Sequence, residues 1–93
     1  MFNAGNENYV SLEYVKAICG NPSAAPIKRH LQNLKTNNPS NVIDFTNGSA
    51  VASIIYLNDG SIVLTNVLAK TIKKRYEMAL LERTNPNAKK GLE

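Results

Sequence analysis

Two turn signals in one short stretch constrain this chain more than any other feature. Asn47-Gly48 separates Val42-Ile43-Asp44-Phe45-Thr46 from Ala50–Leu57, a run in which Val51, Ile54, Ile55, Tyr56 and Leu57 are strand formers. Asn58-Asp59-Gly60 then leads into Ser61–Thr65. A two-residue type I′ hairpin needs positive φ at both central positions, and Asn-Gly supplies that readily. The pattern predicts a three-stranded antiparallel meander over about residues 42–65.

The flanking segments predict the rest of the domain. Tyr9–Ile18 fits neither the strand nor the helix period cleanly. Its Tyr and Val content and the stop at Gly20-Asn21-Pro22 favour one or two N-terminal strands, with a short helix from Ser11 as the alternative. Ser23–Lys35 reads as a helix with Ser23 as N-cap, Pro26 in the first turn and Ile27, Leu31 and Leu34 as one apolar stripe. A second helix over about Val67–Glu82 carries Leu68, Ile72, Tyr76, Ala79 and Leu80 on one face and Lys70, Lys73, Lys74 and Arg75 on the other. The expected fold class is α+β: a small antiparallel sheet, from the meander plus the N-terminal strands, packed by two helices. Residues 1–82 form the domain, and residues 83–93 are expected to be a flexible basic tail.

At 93 residues the chain is one domain. A chain of this size buries roughly 60–65% of its unfolded surface, enough for one thin core. Thin cores often gain stability by self-association, so a homo-oligomer is expected. Thirteen Asn residues favour turns over long elements. Cys19 is the sole cysteine, which excludes an intramolecular disulfide framework and any multi-cysteine zinc site. Met1–Val10 has no signal-peptide pattern, and the longest apolar run, Ala50–Leu57, is too short to span a bilayer. A cytoplasmic protein with no membrane partner is expected.

Residues 1–69 carry four basic and four acidic side chains, so the whole net charge of +4 lies in residues 70–93. Clustered Lys and Arg attract phosphate polymers. Chemistry beyond charge is sparse. His30 is the one histidine and has no carboxylate spaced to orient it, while Cys19 reads as a small buried hydrophobe. No Gly-rich phosphate loop and no metal-ligand spacing occurs. No enzyme, no cofactor and no small-molecule substrate is expected.

Longer matches narrow the class. Ala25-Pro26-Ile27-Lys28-Arg29, preceded by Pro22-Ser23, resembles the S-A-P-I-K-R motif of the RemA-type extracellular matrix regulators. Gly5, Asn8, Val10 and Ser11 are similar to that family's G-x-G-N-x-V-S opening, and Ile43-Asp44, Thr46 and Gly48 to its L-I-D-A-T-x-G. Ile62–Thr65, Val67, Thr71-Ile72 and Arg75 resemble its V-I-L-S-x-V and T-V-x-x-R. The related RemB type resembles the sequence at Asn47-Gly48 and at Thr71–Arg75. Where the family carries an R-R-T-R cluster after T-x-G, its principal DNA-contacting element, this sequence has Ser49-Ala50-Val51-Ala52, and Tyr14 stands where the family has an arginine.

The resemblance implies a regulator of biofilm-matrix genes that binds duplex DNA as a ring-like oligomer. The candidate nucleic-acid-binding residues are Lys28, Arg29, Lys70, Lys73, Lys74 and Arg75. The rival expectation is an oligomeric scaffold or partner-binding protein that kept the fold and lost DNA binding with the arginine cluster.

Overall fold

Ile54 and Ile55 are adjacent and both fully buried, as are Ile62, Val63 and Leu64. Neighbouring side chains in a strand point to opposite faces, so these strands must be covered on both sides. The computed structural model, which describes residues 1–84, shows how. Its strands are β1 (Phe2–Asn3), β2 (Tyr9–Val10), β3 (Val15–Cys19), β4 (Val42–Asp44), β5 (Ser53–Leu57) and β6 (Ile62–Thr65), and its helices are α1 (Ala25–Asn37) and α2 (Ala69–Thr84). The protein is α+β, with two helices and two small sheets among the described residues. One sheet is the antiparallel pair β1-β2, and the other runs β3-β5-β6-β4.

Each face of the larger sheet has its own apolar layer. Ile54, Ile62 and Leu64 pack with Ile27, Leu31 and Leu34 of α1, together with Val42 and Val51. Ile55 and Val63 face the other way, against Ile72 of α2 and Phe2, Ala4, Val10 and Leu12 of the N-terminal segment. Ring edges add to this second layer, where Phe2 and Tyr76 meet in a T at 5.9 Å between centroids.

The predicted meander is half right. β5 and β6 form the antiparallel hairpin around Asn58-Asp59-Gly60. β4, however, lies parallel to β6, with Val42 opposite Ile62 and Asp44 opposite Leu64. The reason is competition for an edge. β5 has two, and β3 takes the one a β4-β5 hairpin would need, pairing Ile18 with Ile55 and Cys19 with Ile54. Asn47 and Gly48 do adopt positive φ, 54° and 88°, and Ser49 N–H donates to the Thr46 carbonyl at 3.0 Å. The turn forms as its residues dictate but ends in a loop instead of a hairpin.

Other expectations shift by smaller amounts. Tyr9–Ile18 holds two short strands separated by a single 3-10 turn at Leu12–Tyr14. α1 begins at Ala25 with Ala24 at the N-cap position, so Ser23 is not the cap. Cys19 is half-buried, not buried. On α2 the packed stripe is Ile72, Tyr76 and Ala79; Leu68 is 65% exposed and Leu80 39%. Arg83 and Thr84 continue α2, and residues 85–93 of the expected tail lie outside the described residues. Among the described residues no helix is long and apolar enough to cross a membrane.

Candidate nucleic-acid interface

β3, β4 and β6 run parallel to one another, so all three end at the same side of the sheet, where β5 begins. Everything that follows these strands therefore gathers there: the Gly20–Ala24 approach to α1, the 45–52 loop and the Asn66–Leu68 approach to α2. The chain just after β3 packs on the first residue of α2, since a Cβ on Gly20 would lie 3.0 Å from that of Ala69. The turn at residues 5–8 joins them. Asn6 Nδ2 donates to the Phe45 carbonyl at 2.6 Å.

Buried polar groups hold this loop end in place. The Thr65 hydroxyl donates to the Ala4 carbonyl and accepts from Val67 N–H at 3.0 Å. The Ser53 hydroxyl donates to the Val67 carbonyl at 2.6 Å. Gly5 sits at φ 119°, with its α-carbon so close to Thr65, Asn66 and Val67 that a Cβ would stand 3.1–3.2 Å from their side chains. Asp44 accepts from both the hydroxyl and the N–H of Thr46, at 2.5 and 2.8 Å. Those two bonds, hydroxyl first, hold its carboxyl below the usual carboxylate value against a smaller opposing effect of burial, with Lys35 adding to the lowering. No buried side-chain nitrogen or oxygen among the described residues lacks a partner.

The six candidate cations separate into three groups on this frame. Lys28 and Arg29 lie exposed near the start of α1, and Lys70 lies exposed in the first turn of α2. Helices on opposite faces of the sheet thus bring three cations to one end of it. Lys73 and Lys74 are exposed one turn along α2, and Lys73 pairs with Glu77 at 3.9 Å. Arg75 does not belong with them. It is half-buried, and its guanidinium donates to the Asn3 carbonyl at 3.0 Å, pinning β1 to α2. The periodicity that placed Arg75 on a polar face could not show that the N-terminal segment would lie across it.

The loop residues at this end were not singled out by charge. Asn6, Glu7 and Asn47 all take positive φ, a conformation that costs a non-glycine residue about 1–2 kcal/mol. Ser49 and Ala50, in the place of the arginine cluster, are exposed and uncharged. His30 stacks on Tyr56 at 5.9 Å between centroids, and burial, with Cys19 adding, pushes the Tyr56 phenol above its ordinary value. No group of three or more His, Cys, Asp or Glu among the described residues is placed to hold a metal.

The described residues thus form a small α+β domain whose loop end is tied together by hydrogen bonds and carries exposed cations near the helix starts. Comparison with known proteins places the sequence in a family. The model of the RemA-like family, extracellular matrix regulatory protein A-like, matches residues 1–76, and the protein belongs to that family. It is 38% identical over 77 residues to a Dictyoglomus turgidum protein, covering 83% of this sequence and 87% of the relative. It is 36% identical over 73 residues to a Bacillus cytotoxicus protein, covering 78% and 80%. Both relatives carry the name "Putative regulatory protein".

Proposed function

We propose that the protein is a regulatory protein that binds duplex DNA as a homo-oligomer, through the loop end of its larger sheet. Lys28, Arg29 and Lys70 grip phosphates there, and Lys73 and Lys74 contribute from the flank. The observation that carries the reading is strand direction: β3 and β6 end at the same side of the sheet, so the helices that follow them start toward one rim, with the exposed Lys28, Arg29 and Lys70 near those starts. The family name and the names of the relatives support regulation rather than catalysis. The family's name also makes extracellular-matrix genes the class of target to test first.

Three cations per subunit bind a phosphate polymer weakly, and repetition changes that. Linked copies raise effective concentration without any new contact. β3 and β4 each pair on one side only, which leaves strand edges for a neighbour. Tyr9 and Tyr14 are large apolar side chains more than half exposed, and they offer surface for self-association. The uncharged Ser49-Ala50 rim favours the rival reading, an oligomeric scaffold that binds a protein partner.

Fluorescence anisotropy on labelled duplexes over a salt series separates the two. Each phosphate neutralised contributes about −0.9 to the slope of log affinity against log salt. Replacing Lys28, Arg29 and Lys70 by Ala flattens that slope and weakens binding on all sequences alike, while Lys73→Ala with Lys74→Ala has the smaller effect. Wild-type protein that binds no duplex at low salt overturns the proposal in favour of the scaffold.

A further inference from the structure

We propose that Asn47-Gly48 is a built-in deamidation site, at which the folded protein converts an amide to a carboxylate without an enzyme. Asn47 is the one asparagine of thirteen that a glycine follows. Both residues are exposed. The Asn47 side chain makes no hydrogen bond and the Gly48 N–H donates none, whereas the side chains of Asn6, Asn8 and Asn58 donate to the carbonyls of Phe45, Gly5 and Glu13. A Cβ at Gly48 would meet nothing within 4 Å, so the space around the attacking nitrogen is open.

The chemistry balances with water as the co-reactant. The Gly48 backbone nitrogen attacks Cγ of Asn47, one bond forms between them, and the bond from Cγ to Nδ2 breaks. The Gly48 amide proton leaves with Nδ2 as ammonia, and a five-membered succinimide remains. Water then opens either imide carbonyl and leaves aspartate or isoaspartate at position 47. No electron is transferred. Gly48 favours the first step because no side chain shields its nitrogen, and its φ of 88° is open to glycine at no steric cost.

The product changes the loop end in two ways. Each subunit's formal charge of +4 falls by one, and the new carboxylate joins the small polar recess that Asn47 shares with Asp44, Asn6 and Asn8. Aspartate tolerates the φ of 54° that Asn47 already has. Isoaspartate lengthens the backbone by a methylene and breaks the turn closed by Ser49 N–H on Thr46.

The test ages the intact protein at physiological temperature, at neutral and at mildly acidic pH, with peptide mapping and isoaspartyl methyltransferase labelling at intervals. The expected result is that the 47–48 peptide gains the amide-to-acid mass difference several times faster than any other asparagine-containing peptide, more slowly in acid, and takes most of the methyl label. An Asn47→Asp variant, made directly, co-migrates in isoelectric focusing with one of the aged species. Asn47→Gln removes the fast phase, because a six-membered imide closes slowly. A 47–48 peptide that stays intact in the folded protein while it deamidates in urea overturns the proposal, as does faster conversion at another asparagine.

Discussion

Replacing Arg75 by Ala tests how the structure divides the basic helix face. By sequence pattern this side chain is a solvated cation whose loss costs nothing. In the structure it is half-buried and donates to the Asn3 carbonyl, seventy-two residues away in sequence. A hydrogen bond from a charged donor contributes about 1.5–3 kcal/mol, and the partial exposure of the guanidinium places this one near the lower end, at about 1–2 kcal/mol. The bond ties β1 to α2 beside the Phe2–Tyr76 contact, so its loss also loosens the cover over Ile55 and Val63. A domain of this size loses roughly 4–8 °C of Tm per kcal/mol, which gives a fall of about 5–15 °C for Arg75→Ala. Circular dichroism melts at one fixed protein concentration measure it, with Lys73→Ala/Lys74→Ala as the control expected to melt like wild type. Arg75→Lys, which keeps charge and stem, is expected to fall between the two. If Arg75→Ala melts with the wild type, or the double lysine variant falls further than it does, the division of the face is wrong.

Gly5→Ala is expected to cost about 1–3 kcal/mol in chemical denaturation, because φ 119° is hostile to a side chain and the new methyl crowds Thr65, Asn66 and Val67. Ile55→Ala, at a site with no exposure in the layer under α2, is expected to cost about 2–5 kcal/mol, and a loss below about 1 kcal/mol would show that this layer collapses freely. Asp44 is expected to shape the acid limb of stability. Its carboxyl lies below the usual value in the folded protein, so the stability it contributes is present above the unfolded carboxylate pKa of about 3.9 and is lost as pH falls through the lower folded value. Asp44→Asn should flatten that limb between the two values in pH-dependent melts while leaving neutral-pH stability lower, and an unaltered limb would refute the assignment.

Local signals were legible in the sequence wherever one short stretch decides the outcome. The Asn58–Gly60 turn joins β5 and β6 as expected, and the Ile27, Leu31, Leu34 stripe packs where a stripe must. The apolar continuity of Ser53–Leu57 was also a signal, since a strand buried on both faces need not alternate. What failed was pairing. Asn47-Gly48 shaped its own turn correctly, but which strand β4 would join depended on β3 having claimed the edge of β5, a long-range contest no local pattern records. The same limit applies to the site. The Lys28-Arg29 pair and Lys70 are far apart in sequence and on helices covering opposite faces, and only strand direction turns their helix starts toward one rim. Arg75 reads as a free cation on a polar face because the segment its guanidinium bonds is the distant N-terminus.

Several residues that carry the family resemblance have structural work, and the Lys28-Arg29 pair does not. Gly5 fits under Thr65 and Val67, Asn8 closes its own turn on the Gly5 carbonyl, Asp44 holds Thr46, and Arg75 holds Asn3. Val63 and Ile72 are core. These matches account for the loop platform and require no ligand. Lys28 and Arg29 are different. Both belong to the Ala25–Arg29 motif and both are exposed. The sole side-chain bond either makes is a long one within its own helix, Arg29 Nε to the Ala25 carbonyl at 3.4 Å. A cationic pair with no part in holding the fold together is where a binding role is most economically placed. Truncating both to Ala should therefore leave the melting curve in place and weaken binding. The uncharged Ser49-Ala50 rim sits at the same end of the sheet, so restoring charge there with Ser49→Arg and Ala50→Arg should strengthen duplex binding in the intact Lys28-Arg29 background. Were the Lys28→Ala/Arg29→Ala variant to melt early instead, the pair would belong to the scaffold, and the rim alone would be left to bind.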